Sequence, residues 1–340
     1  MGDLANRVQK FQRPLNMPKW RNGRRSGFKI RRPKGREGSS PSFGTAAPGR
    51  LGLRARDTPL KARHAFLAAV LMFASGCKDQ AKDSADHAMG DATYMASIVE
   101  KDVGEIERGL PAGAKELASL VAGGADPRQD MRAVRHGLQQ IRRDVADLNI
   151  AKSTFFALAD PSGVAIRNDL EEDVMAGQNL LAIFPGLAKG LKGLVTTTGA
   201  FPNTSAKNGP DEDWIAGAPV VRENGSTGAL LVTGWSYRYF SRHLQEAIKT
   251  HLLDVAKAAG NEGKLPVFYV AVFDRAGVYP APLTPDVNEK ALASLGLAAR
   301  TESGPAQGTV TISDRAFGFA ALRTPKLAAD TGLVVLRTEF

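Results

Sequence analysis

The second half of this chain repeats a strand–turn–strand pattern from its first half. Phe155-Phe-Ala-Leu-Ala-Asp-Pro-Ser-Gly-Val164 returns 114 positions later as Tyr269-Val-Ala-Val-Phe-Asp-Arg-Ala-Gly-Val278. Thr227-Gly-Ala-Leu-Leu-Val232 returns 104 positions later as Thr331-Gly-Leu-Val-Val-Leu336, in the same order along the chain. Because each copy is long enough for its own core, the repeat predicts two tandem domains rather than a solenoid.

Each copy combines short β-like runs with one helical stretch. The first copy has five candidate strands, at 154–159, 164–166, 194–201, 214–222 and 228–237. A Leu-rich helical stretch at 170–191 follows the opening hairpin, and the second copy has a shorter one at 287–295. The pattern predicts an α+β fold, in which N-terminal helices precede two tandem antiparallel-sheet modules.

Amphipathic helices precede the first copy and connect the two copies. Apolar residues recur at helical spacing from Met95 to Leu110, and Pro111 is predicted to end that helix. A second helix begins after Asp126 and Pro127, which have the character of a cap and a first helical residue. A third amphipathic helix is predicted at 239–259, between the modules.

The basic character of the chain lies in its first 64 residues. The whole chain has a formal net charge of +10, which is common among nucleic-acid binders. Residues 1–64, however, hold 17 lysines and arginines against 3 acidic residues, whereas the remainder holds 28 against 32. We therefore predict no nucleic-acid partner for the folded part. The disordered leader 1–59 is either a basic tail for nucleic acid or anionic lipid, or a mis-assigned start with translation beginning near Leu60.

The single cysteine, Cys77, follows an apolar run that basic residues precede. A run of about a dozen apolar residues suits a signal peptide and is shorter than the roughly 20 residues that a membrane-spanning helix needs. Ala74-Ser-Gly-Cys77 resembles the lipobox of bacterial lipoproteins. The resemblance implies a signal peptide at 60–76 and a thiol at Cys77 that carries acyl chains such as palmitate. The alternative is a short buried helix with a core cysteine.

The order of elements after residue 91 resembles that of extracytoplasmic double Cache sensors, which are built from two PAS-like modules. Ala218-Pro-Val-Val221 followed by Gly228-Ala-Leu-Leu-Val232 is the most specific part of this resemblance. The resemblance implies that a small molecule binds between the first sheet and the helical segment over it. No kinase, cyclase or methyl-accepting segment follows the second module, so we expect no output domain of its own.

Four residues of the first module are predicted to bind the ligand: Arg167, Trp214, Trp235 and Tyr237. The guanidinium of Arg167 would suit a carboxylate, and the aromatic rings would surround an amine or an apolar group. Trp235 and Tyr237 also have the period-two spacing that ordinary core packing gives. The second module has no tryptophan and is predicted to be a spacer or to support a homodimer.

Motifs for catalysis and metal binding are weak. Gly225-Ser226 is predicted to lie in a hairpin turn rather than in a nucleophile elbow, and the segment 258–264 lacks the hydroxyl residue of a phosphate loop. His243 and His251 are two helical turns apart, and Asp211-Glu-Asp213 is interpreted as a solvated loop. We predict that the protein is not an enzyme and uses no cofactor or metal.

The expected organisation is a leader (1–59), a signal peptide (60–76), a flexible tether (77–91), a helical segment (92–152), a first module (153–238), a connecting helix (239–262) and a second module (263–340). The predicted function is a periplasm-facing lipoprotein that binds a small carboxylate or amine and passes the ligand or its signal to a separate membrane protein. Lys78 beside the anchor favours the outer membrane. The alternative is a structural or interaction lipoprotein without a ligand pocket.

Processing at Cys77 can be checked directly. We expect protein purified from its own membranes to begin at a lipidated Cys77, because small residues lie between the apolar run and the thiol. Intact-mass and N-terminal analysis would show this, and Cys77→Ala should leave an unprocessed or mislocalised chain. Recovery of soluble, unlipidated native protein that retains residues 1–64 would contradict the prediction.

Overall fold

A computed structural model describes residues 60–149, 155–201, 211–260 and 265–339, with side chains from residue 80 onward. The predicted leader, 1–59, lies outside these residues. The α-helices are α1 (Leu60–Glu116), α2 (Met131–Asp144), α3 (Leu180–Ile183), α4 (Tyr237–Ala258), α5 (Asp286–Ser294) and α6 (Leu297–Arg300). Short 3₁₀ helices occur at Leu117–Gly124, Pro127–Gln129, Ala146–Leu148 and Pro185–Leu191.

The strands form two five-stranded antiparallel sheets. They are β1 (Phe155–Ala159), β2 (Ala165–Asn168), β3 (Val195–Ala200), β4 (Glu212–Val221), β5 (Thr227–Ser236), β6 (Val267–Phe273), β7 (Val278–Pro280), β8 (Ala306–Ile312), β9 (Arg315–Arg323) and β10 (Gly332–Thr338). The first sheet has the order β2-β1-β5-β4-β3 and the second has β7-β6-β10-β9-β8. Both sheets therefore share one order, which confirms the predicted α+β fold with two tandem antiparallel-sheet modules.

Each sheet is covered on both faces. The inner faces of both sheets share one core with α1, α2 and α4. The outer face of the first sheet is covered by α3 and the 3₁₀ helix Pro185–Leu191, and the outer face of the second by α5 and α6. Because neighbouring residues of a strand point to opposite faces, Trp214 in β4 belongs to the shared core whereas Ile215 belongs to the outer cluster.

Helix α1 contributes a continuous buried stripe to the shared core. The stripe predicted from Met95 to Leu110 is confirmed, since its residues Met95, Val99, Val103, Ile106 and Leu110 are fully buried. Pro111 was predicted to end this helix, but α1 continues past it to Glu116. Leu110 and Ala114 are buried on either side of Pro111, so tertiary packing offsets the hydrogen bond that proline removes.

The prediction of a flexible tether at 77–91 is wrong, because this segment is part of helix α1. Ala81, Ala85 and Ala88 of α1 are buried, and a Cβ at Gly318 of β9 would collide with the α1 backbone at Ser84 and Ala85. The small residues on both sides allow the helix to lie very close to the second sheet.

A buried ion pair joins the same part of α1 to the last strand. Arg337 Nη1 donates to Asp91 Oδ2 at 2.7 Å, and both side chains are about one-tenth exposed. Arg337 Nε also donates to Glu339. Burial raises the pKa of Asp91, and the Arg337 guanidinium opposes that shift. The pairing fixes the register of α1 on the second sheet, because an unpaired charge at this depth would be costly.

The backbone of α1 runs without a break from Leu60 through Cys77 to the docked region. Residues 60–76, predicted to be a signal peptide, are therefore helical. Among the described residues, no helix is both long enough and apolar enough to cross a membrane.

Close docking of α1 on the second sheet can be tested with two Gly→Ala substitutions. Gly318→Ala should lower the free energy of unfolding by about 1–3 kcal/mol, because the added methyl group forces α1 away from β9. Gly90→Ala is the matched control, since a Cβ there meets nothing within 4 Å, and it should stabilise α1 by about 0.5–1 kcal/mol. Denaturant unfolding measures both. Equal stability of the two variants would contradict close docking.

Candidate functional site

A cavity of about 890 Å³ lies on the outer face of the first sheet, where its covering segment ends. Its deepest residues are almost fully buried: Asn168, Met175, Phe184 and Ile215. The second module closes one side with the loop Ala281–Pro285 and the start of α5. The volume and the mixed apolar and polar lining are typical of small-molecule sites.

The segment over the sheet is mostly a loop rather than the helix predicted at 170–191. Only Leu180–Ile183 is α-helical, with a 3₁₀ helix after it. The Asp173 carboxylate accepts hydrogen bonds from the backbone amides of Asn168, Met175 and Ala176 at 2.9–3.0 Å. This side chain therefore folds residues 168–176 into the compact turn that forms one wall of the cavity.

Asp213 is the most unusual polar group of the cavity. Its side chain lies on the outer face of β4 and is 9% exposed, and from the described residues its carboxylate accepts a hydrogen bond from the Phe201 amide at 3.0 Å. Burial raises the pKa of Asp213 to about 7, the charges of Asp211 and Glu212 add to the rise, and the Phe201 hydrogen bond opposes it. The Asp211-Glu-Asp213 segment is thus largely strand, and its interpretation as a solvated loop is wrong.

The N-terminus of α4 forms the polar wall next to Asp213. Ser236 Oγ accepts from the Tyr239 amide, and Asp211 Oδ1 lies 3.4 Å from the Arg238 amide. Asp211 is therefore partly engaged in capping the helix, although burial still raises its pKa. Arg238 Nη2 donates to Glu289 of α5 at 2.7 Å, so an ion pair joins the two modules beside the cavity.

Asn168 supplies a hydrogen-bond donor at the opposite side of the cavity floor. Its Oδ1 accepts from the Leu170 amide at 2.9 Å, and its Nδ2 is buried with no hydrogen-bond partner within the described part of the chain. A buried amide donor without a partner is costly in the empty protein. A ligand atom that accepts from Nδ2 would remove that cost.

None of the four residues predicted to bind the ligand lines this cavity. Trp214 and Trp235 are fully buried on the inner face, where their rings stack with centroids 4.3 Å apart. Phe240 of α4 stacks on Trp235 at 4.5 Å. Tyr237 is buried between the modules, and its hydroxyl lies 3.2 Å from Thr331 Oγ1. The stacked rings of Trp214, Trp235 and Phe240 therefore lie on the opposite side of the sheet from the cavity.

Arg167 is directed away from the cavity by an irregularity in the β1–β2 register. Arg167 lies opposite Leu158, which belongs to the inner core, whereas Asn168 lies opposite Ala157, which belongs to the outer cluster. Directly opposed residues project to the same face of a sheet. The bulge therefore turns Arg167 toward the inner face and Asn168 toward the outer face, the reverse of what simple alternation along β2 would give. Arg167 pairs with Asp173 at 3.2 Å and donates to the Leu170 carbonyl at 3.0 Å, which holds the cavity wall in place.

The outer face of the second sheet is filled by aliphatic and aromatic side chains. Leu292 of α5 and Leu297 of α6 pack in one cluster with Phe273 and Phe319 of the sheet. The Arg300 guanidinium lies over the Phe319 ring at 5.7 Å. Across the described ranges, no cluster of three or more His, Cys, Asp or Glu residues is arranged to hold a metal ion.

A scan against protein-family models finds no match, and a search of curated proteins finds none either. Solved structures similar to this chain include the periplasmic sensory domain of the Campylobacter jejuni chemoreceptor Tlp1, with 13% identity, a TM-score of 0.42 and coverage of 76% of this chain and 95% of that domain. The ligand-binding domain of the Pseudomonas aeruginosa amino-acid chemoreceptor PctC, solved with GABA, has 15% identity, a TM-score of 0.42 and coverage of 75% and 99%. An extracellular ligand-binding receptor from Desulfohalobium retbaense has 11% identity and a TM-score of 0.40; the match covers 73% of this chain but 39% of the receptor.

The raised pKa of Asp213 predicts a specific dependence of stability on pH. Between about pH 4 and 7 the folded protein holds a proton on Asp213 that the unfolded chain has released, so the contribution of this group to stability falls as the pH rises through 7. Asp213→Asn keeps an acceptor for the Phe201 amide and removes the titration.

The free energy of unfolding of Asp213→Asn, minus that of the wild type, should therefore rise by about 1.4 kcal/mol per pH unit from pH 4 to 7 and be constant above that. Denaturant titrations at several pH values give this difference, in which the contributions of carboxyl groups distant from Asp213 cancel. A difference that does not change with pH would show that Asp213 is not a buried, proton-holding carboxyl group.

Proposed function

We propose that this protein binds a small organic amine in the cavity of the first module, with the ligand's ammonium group at Asp213. The observation that supports this proposal is the buried Asp213 carboxyl, which accepts from the Phe201 amide alone within the described ranges and has a pKa raised to about 7. An ammonium group would supply further donors and a compensating charge, and would stabilise the ionised form.

The charge of the lining favours an amine over a simple carboxylate. Among the described residues, the cavity lining holds four carboxyl groups, those of Asp211, Asp213, Asp286 and Glu289, and the guanidinium of Arg238. Because Arg238 already pairs with Glu289, a free anion would meet net negative charge at the floor. A ligand that also carries a hydrogen-bond acceptor could use the Asn168 amide, so amino-acid-like zwitterions belong to the proposed class.

We further propose that Cys77 carries the lipid and that the protein faces the periplasm, with the outer membrane preferred. With an anchor at Cys77, the buried Ala81 of α1 follows four positions later, so the second module would lie next to the membrane. The first module packs on the other end of α1, where Leu231 of β5 lies next to Gly113, about 50 Å from Ala81 along the helix axis at 1.5 Å per residue. The ligand site would then face away from the membrane, where a separate membrane protein could receive the ligand or its signal.

The amine site is tested with compounds that share a carbon chain and differ in charge. n-Butylamine and L-norvaline should stabilise the protein in thermal-shift measurements, because binding to the folded state alone raises its stability, whereas butyrate should not. Asp213→Asn should weaken amine binding at least tenfold by titration calorimetry, the scale of a charge-assisted hydrogen bond. Asp254→Asn, at an exposed residue of α4 that does not line the cavity, is the matched control and should change affinity less than threefold.

Proton release gives an independent measurement of the same contact. Below pH 6, amine binding should release nearly one proton per ligand from Asp213, and above pH 8 it should release almost none. Calorimetry in buffers of different ionisation enthalpy measures this number. Stabilisation by butyrate alone, or by no compound in an amino-acid, organic-acid and polyamine panel, would count against the amine site, and the second result would favour a structural role.

A further inference from the structure

Exposed apolar side chains surround the mouth of the cavity. Among its lining residues, Leu283 is 89% exposed, Val174 60%, Tyr239 55% and Leu170 42%. The floor residues Asn168 and Ile215 are each 1% exposed. The cavity therefore changes from a buried floor with polar groups to an apolar rim, and clustered exposed apolar residues mark binding surfaces more often than chance.

The rim is built from both modules. Leu170 and Val174 belong to the turn that Asp173 and Arg167 hold, whereas Leu283 belongs to the loop between β7 and α5 of the second module. The ion pair between Arg238 and Glu289 joins the two sides close to the cavity. The two apolar edges are therefore held at a defined separation.

A constrained loop holds the side chain of Leu283 in an exposed position. Pro282 and Pro285 restrict the backbone on both sides of it, and the Thr284 amide donates to the Ala281 carbonyl at 2.9 Å. Ala281 is itself buried, and its amide donates to the Val270 carbonyl at 3.2 Å. A leucine presented in this way forgoes the gain of burial, which a bound apolar group would supply.

We propose that the mouth of the cavity is a second, apolar subsite, formed by Leu170, Val174, Tyr239 and Leu283, which takes an aliphatic chain on the amine bound at Asp213. This inference rests on the proposed amine site. The volume supports it, since 890 Å³ is near the upper end of small-molecule sites and far exceeds what an ammonium group and a short chain fill. Leu283 is the specificity-determining residue, because it brings the second module into contact with the ligand's distal end.

The test compares n-butylamine, n-hexylamine and n-octylamine by titration calorimetry at pH 8, where Asp213 is largely ionised in the empty protein. Affinity should rise about fourfold for each added methylene that becomes buried. In Leu283→Ser, octylamine should bind at least fivefold more weakly than to the wild type, and butylamine less than twofold more weakly. Because Leu283 is 89% exposed, its replacement should leave the unfolding midpoint unchanged.

Leu253→Ser is the matched control, since Leu253 is an exposed leucine of α4 that does not line the cavity. It should bind every amine as the wild type does. Affinities that are independent of chain length, or equally affected by Leu283→Ser and Leu253→Ser, would overturn the apolar subsite while the Asp213 site stands. Absence of binding by all three amines would overturn the proposed function and the subsite with it.

Discussion

The two modules depend on one shared helix. The buried stripe of α1 runs from Ala81 to Ala114 and continues into the following 3₁₀ helix at Leu117 and Val121. From Ala88 onward it packs in one core with inner-face residues of both sheets. A five-stranded sheet with an apolar inner face cannot remain exposed to water, so each sheet needs this helix to complete its core. The outer faces have no such shared partner. Each is covered by its own segment, and the two copies differ there.

That difference shapes the cavity on the outer face of the first sheet. In the second module, α5 and α6 bring Leu292 and Leu297 onto the sheet, where they meet Phe319. In the first, Arg167 and Asp173 hold the covering segment in a turn, and Asp213 lines the cavity beyond that turn. On the opposite side of this sheet, the stacked rings of Trp214, Trp235 and Phe240 make a firm support. A binding group held by such packing needs little reorganisation when its ligand arrives.

The sequence was sufficient for the fold because a repeated pattern of strands and turns constrains the topology twice. The sequence was insufficient where a one-residue shift in strand register decides which face of the sheet a side chain occupies. The bulge between β1 and β2 exchanges Arg167 and Asn168, and nothing in the local composition marks it. The tether was misjudged because alanine burial against Gly318 depends on a close approach between distant segments, while the surrounding Lys and Asp residues have the composition of a linker. The Trp pair was predicted to bind because large aromatic residues serve both cores and pockets.

Asp213 was missed for a related reason, and its position shows how stability and binding oppose each other in this module. Among three consecutive acidic residues, the strand period turns only Asp211 and Asp213 toward the cavity, and the α4 N-terminus partly satisfies Asp211. In the part of the chain that the structure describes, Asp213 has one donor, and its raised pKa lowers the stability of the unliganded protein near neutral pH. Retaining a carboxyl at that depth makes physical sense if a cation completes its environment. Replacing Asp213 with asparagine would then make the protein more stable, but it would remove the charge that distinguishes an amine from a neutral molecule.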